Sequence, residues 1–471
     1  MDQNTNTQLS LFEQRLEKTG QEIEKLMPYY PCLREVCHRQ RPAAYPAALF
    51  VGAALFGTLM TRCTYRFYFQ AYKLRRLNYC VFIIGDPGTG KSFAERLYEV
   101  IADPIIQETK KGTNAINNYK RKYSKWEKSG RKGDGPVKPK ALIRTHPART
   151  SNRVFIEDMI NAVDIVDGEE MNLHMLSFDS ELDNAINMQG EAWNNKAFLE
   201  LKAFHNEEDG QFFTSIDTML CNFDVYWNFI YTGTPMALRH KVNAENIGTG
   251  LATRLACIPM PSTHFQMLEY DEYDPSKGKP SLTEEEMTLR MWAERLDKTH
   301  GKLPIEPLVD CAYDWTKDHM EEAKENDSEA DETMVKRVAY YGINVSVPFI
   351  VMRHWDEWQQ HGTLSIDDID LELCNLAMDI QYLCQQHFFA HYWDHYFERI
   401  NSPYTPADKR HTELMRERYA LLPEVFETDD LIVLCGVKKR NAEKMIERWI
   451  NEQYIKRLER GFYQKLFLYM T

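Results

Sequence analysis

Ten cysteines are scattered through 471 residues without one C-x-x-C pair, which removes zinc ribbons and a dense disulfide framework from consideration. No apolar run reaches the ~20 residues that a bilayer-spanning helix needs. The nearest, Tyr45 to Met60, is followed by Arg62 and Arg66 and is expected to be a buried helix. With no secretory leader in view, the unpaired thiols predict a reducing, cytoplasmic location. A primase zinc motif, a nuclease cluster and the acceptor lid of a small-molecule kinase are also missing, so priming or cutting would need another protein.

What is present is an ordinary globular composition, 43% hydrophobic and 27% charged, on a chain long enough for two or three domains, since single cores stop growing near ~250–300 residues. The net charge of −13 is unevenly placed. Between Lys110 and Arg149 thirteen Lys or Arg face only Glu127 and Asp134, so this segment is strongly basic and the remainder more acidic than the sum suggests.

The chemistry-bearing motif is GDPGTGKS, residues 85–92. It follows YCVFII, a continuous run of β-formers that predicts a strand buried on both faces, and precedes a helix expected over 91–107. In this G-x-x-x-x-G-K-S (Walker A) spacing, Gly85, Asp86, Pro87, Gly88, Thr89 and Gly90 let backbone N–H groups wrap a phosphate, and the helix N-terminus adds a positive end. Lys91 is expected to reach the β- and γ-phosphates of ATP, and Ser92 to give its hydroxyl to Mg2+. The acidic strand end such a site needs is found in HMLSFDSELD (174–183), where Asp179 is the expected metal-side carboxylate and Glu181 the group that orients water. VDIVDGEE (163–170) is a rival acidic end without a comparable apolar strand. WNFIYTGTP ends a third strand with Thr232 and Thr234, candidates for the γ-phosphate or the lytic water as well as ordinary turn formers. Arg254, in GTGLATRLACIP, is a candidate arginine finger, with Arg239 as its competitor.

The chain divides by pattern into a helical leader (1–76), an α/β core (77–261) with a basic surface insert (110–140), a polar linker (262–300), a helical domain (301–402) and a terminal unit (403–471). Strands are expected at 140–145, 175–178, 227–232 and 252–261. The terminal unit runs helix, helix, hairpin, a winged helix-turn-helix arrangement, with Lys438, Lys439, Arg440, Lys444 and Arg448 on its second helix and Lys456, Arg457 and Arg460 at the hairpin. The insert interleaves Tyr119, Tyr123 and Trp126 with Lys120, Arg121, Lys122, Lys125 and Lys128, a combination suited to phosphate contact and base stacking and equally to a solvated hairpin. Cys384, His387, His391 and His395 share a helix face crowded with aromatics, where packing accounts for them better than a metal.

From Tyr29 to His395 these features together resemble a family of P-loop ATPases, formally of unknown function, carried by bacterial prophages and integrative elements and often found beside primase-like domains. The resemblance rests on the 85–92 loop, the basic insert, the acidic strand end, the TGTP turn and the GLATRL segment. Where that family commonly has an adjacent Asp-Glu pair, this sequence has Asp179-Ser180-Glu181. The resemblance implies an AAA+/RecA-like fold and a homo-oligomeric, helicase-like DNA motor, a hexameric ring included, serving replication or mobility of a mobile element alongside a primase or other replication protein. The alternative is an ATP-dependent switch that binds a partner protein in transposition or defence without translocating.

Overall fold

The computed structural model describes residues 10–146, 150–181, 196–211, 221–263, 282–401, 418–435, 439–451, 454–459 and 461–466. The chain forms two compact units, Met1–Asp394 and His395–Thr471. The first is a mixed α/β body around a parallel four-stranded sheet. The loop strand Cys80–Ile84 lies between the edge strand Ala256–Pro259 and the threonine strand Trp227–Gly233, and the acidic strand Met175–Asp179 lies beyond the threonine strand. All five residues of the loop strand and all seven of the threonine strand are buried, the environment their unbroken apolar runs require.

The apolar helix Tyr45–Leu59 is buried, as its composition led us to expect. The apolar stretch Pro42–Leu59 is 89% buried, and the helix packs on three strands of the sheet, on Phe93–Ile101 and on the equally apolar Val338–Arg353. Helices hydrophobic on every side belong inside a layered core. Gly57 permits the contact, since a Cβ there would fall 2.0 Å from the Tyr79 hydroxyl oxygen.

Several expectations need correction. The leader is not wholly helical: Arg62–Arg66 is a strand that pairs with Leu74–Arg75 and, in parallel, with His300–Lys302, so the segment after 300 also opens on a strand. The second half of the expected linker is a helix, Glu284–Leu296, opened by a Thr283/Glu286 capping box and burying Leu289, Trp292, Ala293 and Leu296; 264–281 lie outside the described residues. The helix expected over 91–107 is two helices, Phe93–Ile101 and Asp103–Lys128, hinged at Ala102 with Pro104 in the first turn of the second. Of the strand expected at 140–145, only Thr145 bridges the acidic strand, at Leu176.

The basic insert is thus largely the end of one long helix. Its last buried residue is Gly112, where a Cβ would fall 2.3 Å from the Leu142 carbonyl oxygen. From Thr113 to Lys128 no residue is buried, so about 24 Å of helix stands clear of the core. Tyr119, Tyr123 and Trp126 line this arm with ring centroids 5.9 and 5.6 Å apart. The returning chain is pinned by Trp126 Nε1 donating to Gly133 O at 3.0 Å.

The second unit has helices Thr428–Cys435 and Lys439–Asn451 and a three-stranded antiparallel sheet in the order Val425–Glu427, Phe462–Lys465, Ile455–Glu459. Leu431, Ala442, Ile446, Trp449, Ile455 and Tyr463 belong to its core. Lys439, Lys444, Lys456 and Arg457 are exposed, while Lys438 and Arg460 lie outside the described residues, as does Arg149 of the insert.

Two buried asparagines join the sheet of the first unit to its helices. Asn228 Oδ1 accepts from the Tyr79 amide at 2.9 Å, and its Nδ2 donates to Thr58 Oγ1 at 2.9 Å. Asn344 donates to Asn78 O at 2.9 Å and accepts from the Tyr65 hydroxyl at 3.0 Å. Asn344→Ala strands that carbonyl and that hydroxyl in the interior, at about 1–3 kcal/mol each. The expected outcome is a loss on the order of 2–6 kcal/mol in urea unfolding of the first unit, and a loss under ~0.5 kcal/mol would show that the network is not holding the layers together.

Candidate functional site

In a parallel sheet, groups meet where the strands end at their carboxyl edge. Gly85 N–H donates to Gly233 O at 3.0 Å, which ties the start of the 85–92 loop to the end of the threonine strand. Gly85 has no room for a side chain, because a Cβ would meet Thr89 Oγ1 at 2.7 Å and Met260 Cβ at 2.8 Å. Gly88 and Gly90 take φ of +81° and +87°, and a Cβ on either would meet nothing within 4 Å. The loop is therefore packed on its sheet side and open on its outer side.

Thr89 is buried, and its hydroxyl donates to Asp86 O at 2.9 Å, closing the turn. Lys91 Nζ donates to Gly85 O at 2.6 Å and Asp86 O at 2.7 Å, so the ammonium lies across the loop's own carbonyls. Asp86, Pro87 and Gly88 are exposed. Ser92 is exposed too, and its hydroxyl makes no capping bond to Phe93–Ile101.

Two strand spacings, about 10 Å, separate the loop strand from the acidic strand, and the threonine strand fills the gap. Asp179 stands opposite Tyr231 in register. Beyond the ladder, the Thr232 hydroxyl donates to Ser180 O at 2.7 Å, fastening the chain that leads to Glu181. Asp179 Oδ1 accepts from the Glu181 amide at 2.9 Å, which shapes the turn between the two acids. Residues 182–183 of the acidic segment lie outside the described residues. Thr234 has a helix-capping role, its hydroxyl accepting from Ala237 N–H at 3.2 Å at the start of Pro235–Lys241. Arg239 is exposed on that helix, near His391.

Arg254 is placed differently. It precedes the edge strand, and its carbonyl shares the Tyr341 hydroxyl with Cys80 O, at 2.9 and 3.2 Å. Cys80 is five residues before Gly85, so Arg254 sits roughly 16 Å from the loop, at the amino edge of the sheet. A single side chain cannot span that distance. The rival acids of 163–170 lie in a hairpin outside the four-stranded sheet, Val163–Val166 with Glu169–Asn172, in which Asp164 pairs with Arg62 at 2.7 Å. His387 stacks on Phe12 at 3.7 Å, and no cluster of three metal-ligating side chains occurs among the described residues.

One charged cluster gave no signal in the sequence. Lys241 and Glu200 form an ion pair with both side chains almost fully buried. Beside them Lys196 Nζ donates to Thr150 O at 2.6 Å and lies 5.5 Å from the centre of the Phe155 ring. The partners are 41 to 46 residues apart in the chain, beyond any local pattern. Burial, assisted by Lys241 and opposed by Glu200, pulls the Lys196 amine down to about 8. An amine lowered by folding binds its proton less tightly in the native state than in the unfolded chain. Stability from this group therefore rises as pH climbs from about 8 toward the ordinary lysine value of ~10.4. Wild-type protein should gain on the order of 1–3 kcal/mol over that window relative to Lys196→Met in urea titrations at fixed pH; parallel pH profiles would count against a lowered amine.

A scan of protein-family models finds none that matches this chain, and a search of curated proteins finds none either.

Proposed function

We propose that the chain is a P-loop ATPase of the AAA+/RecA-like type that hydrolyses ATP while acting on DNA. The observation that carries this reading is the 85–92 loop, which leaves a fully buried parallel strand, turns through two left-handed glycines with an open outer side and enters a helix. Backbone N–H groups presented this way, with a helix N-terminus behind them, suit a polyphosphate. Lys91 exchanges its loop carbonyls for phosphate oxygens. The donor set fits a hard cation: the exposed Ser92 hydroxyl and the Asp179 carboxylate are the oxygen ligands that Mg2+ prefers. Bound there, Mg2+ would neutralise phosphate charge. Glu181 is the group that orients the attacking water, and Thr232 is a positioning residue that acts through Ser180. Thr234 can reach the γ-phosphate only at the expense of its cap.

Arg254 cannot serve its own loop at the separation estimated above, so a role as finger requires a second subunit. This favours a homo-oligomer. The protruding arm, with five cations and three spaced aromatic rings between Thr113 and Lys128, suits single-stranded DNA, where backbone charge and base faces are both within reach. The second unit, read as a winged helix, adds exposed Lys439, Lys444, Lys456 and Arg457 as a further DNA surface. A helicase-like motor of a mobile element, working beside a primase, is the function these parts serve best.

Two measurements test the reading. ATP turnover of the full chain should rise on adding single-stranded DNA, and Lys91→Ala should lower it on the order of 10²–10³-fold with unchanged circular dichroism. Turnover indifferent to DNA would favour a switch that binds a partner protein, and wild-type turnover in the mutant would remove the loop assignment. Separately, replacing Lys120, Arg121, Lys122 and Lys125 by Ala should weaken DNA binding and flatten the log–log salt dependence by roughly 0.7 per lost phosphate contact; an unchanged slope would exclude the arm from the DNA interface.

A further inference from the structure

The helices Glu306–Glu325 and Asp368–Asn401 run side by side in the same direction where Cys311 meets Asn375. Two hydrogen bonds fix the match: Cys311 Sγ donates to Asn375 Oδ1 at 3.2 Å and Trp315 Nε1 to Asp379 Oδ1 at 2.9 Å, each joining residues 64 positions apart. The four-residue step is about one turn on both helices, so their facing rows stay level. Cys311 therefore meets Cys374, the residue before Asn375, and the two thiols are within hydrogen-bonding reach. The second helix is itself held in place. Gly342 of Val338–Arg353 lies against it, where a Cβ would fall 2.4 Å from Met378 Cγ and 3.2 Å from Cys374 O. Farther along, Gln381 Nε2 donates to Leu255 O at 3.0 Å and Gln385 Nε2 to Ala252 O at 2.9 Å.

The two thiols differ in access and in proton affinity. Among the eight cysteines whose burial is described, Cys311 alone is only partly buried. The Cys374 thiol, aided by the Asn375 side chain, holds Cys311 below the usual thiol range against burial and Asp314. The same contact, together with burial, pushes Cys374 well above that range. The reachable sulfur is thus the one that ionises more readily, and the thiolate is the form that attacks an oxidant. Asp310 and Asp314 stand exposed on either side of Cys311. Their charge disfavours an anionic oxidant such as glutathione disulfide and leaves a small neutral peroxide as the better match.

We infer that Cys311 and Cys374 form a reversible, peroxide-sensitive dithiol, with Cys311 as the site of attack and Cys374 as the resolving thiol. The Cys311 sulfur attacks one peroxide oxygen, the O–O bond breaks, and the departing hydroxide leaves as water with the proton that Cys311 has shed. Cys311 is then a sulfenic acid. The Cys374 sulfur attacks the Cys311 sulfur, the S–O bond breaks, and a second water leaves with the Cys374 proton. Two thiols are oxidised to one disulfide, and the peroxide is reduced to two waters. A dithiol reductant reopens the bridge by exchange. In a reducing compartment the pair rests as thiols and closes only under oxidant, the use to which disulfides are put there. Closed, the bridge staples one helix to the other and removes freedom from the unfolded chain.

The test treats the folded full chain with a small molar excess of hydrogen peroxide, quenches with a thiol alkylator and reads the products by intact mass and peptide mapping. Wild-type protein should lose two hydrogens, yield a linked Cys311–Cys374 peptide pair and unfold on the order of 5 °C higher than before, with dithiothreitol reversing all three. Cys374→Ser should stop at a Cys311 sulfenic acid that dimedone traps, and Cys311→Ser should leave Cys374 reduced. Cys257 and Cys384, a second pair of neighbouring thiols, are buried and raised by burial, and should stay reduced throughout. Absence of the linked pair from oxidised wild-type protein overturns the dithiol, as does a bridge at Cys257–Cys384 in its place or a Cys311–Cys374 bridge that fails to raise the unfolding midpoint. The decisive product comes from wild-type protein, so a serine variant that folds poorly cannot mask the answer.

Discussion

The parallel ladder between Cys80–Ile84 and Trp227–Gly233 sets the 85–92 loop beside the end of the threonine strand. Both strands are buried on both faces, so slipping either by one residue would exchange the side chains packed into the two covering layers. That register brings Ile84 level with Gly233 and lets the Gly85 amide close onto the Gly233 carbonyl. The adjoining ladder sets Asp179 beside Tyr231, and the Thr232–Ser180 bond carries the alignment one step beyond the last paired residue. The loop and the acids are thus held by backbone hydrogen bonds of the core. Side-chain packing decides only their final orientation.

The two edges of this sheet differ in character. The carboxyl edge ends in glycine, serine and threonine, small groups that leave space outside the strands. The amino edge is crowded with large charged side chains made tolerable by hydrogen bonding. Arg144 is fully buried, with Nε donating to His174 O at 2.9 Å and Nη1 to Glu108 at 3.3 Å, while its Nη2 has no acceptor among the described residues. His174 in turn bonds Thr61 and Asn78, at 2.8 and 2.7 Å, and burial holds it neutral. Such networks are costly when incomplete, and complete ones fix a single arrangement. Completion fails among the described residues at Nη2 of Arg144 and at Nε of Arg75 and Arg254, all of them buried atoms.

How much of this was legible depended on the range of the interaction. YCVFII declared its strand because an unbroken β-former run needs only local information, and Gly85–Ser92 declared its loop because the spacing itself carries the chemistry. Arg62–Arg66 was hidden, since RCTYR is short and its partner His300–Lys302 is more than 230 residues away. The helix Glu284–Leu296 was masked by its three leading acids, although the Thr283–Glu286 capping box was there to be found. The long helix ran past its expected end because Gly112, a poor helix former, is retained to let Leu142 cross closely. The position of Arg337 carried no signal, because its hydrogen-bond partner, Thr253, lies 84 positions earlier.

The connection between loop and arm follows from the same geometry. Only Ala102 separates Phe93–Ile101 from Asp103–Lys128, and its own backbone bonds to both helices, to Tyr98 O at 3.0 Å and from Ile106 N–H at 2.9 Å. Arg290 clamps the joint from outside, with Nε on Val100 O at 3.0 Å, Nη2 on Glu99 O at 3.4 Å and Nη1 on Asp103 at 2.9 Å. A joint bonded on both sides cannot swivel freely, so the two helices respond to a displacement together. The second spans about 39 Å end to end, and its basic half stands clear of the core beyond Gly112. A small tilt of the helix that follows the 85–92 loop is therefore enlarged at Tyr119, Tyr123 and Trp126. Under the proposed ATPase reading, this short clamped joint links the 85–92 loop to the basic arm.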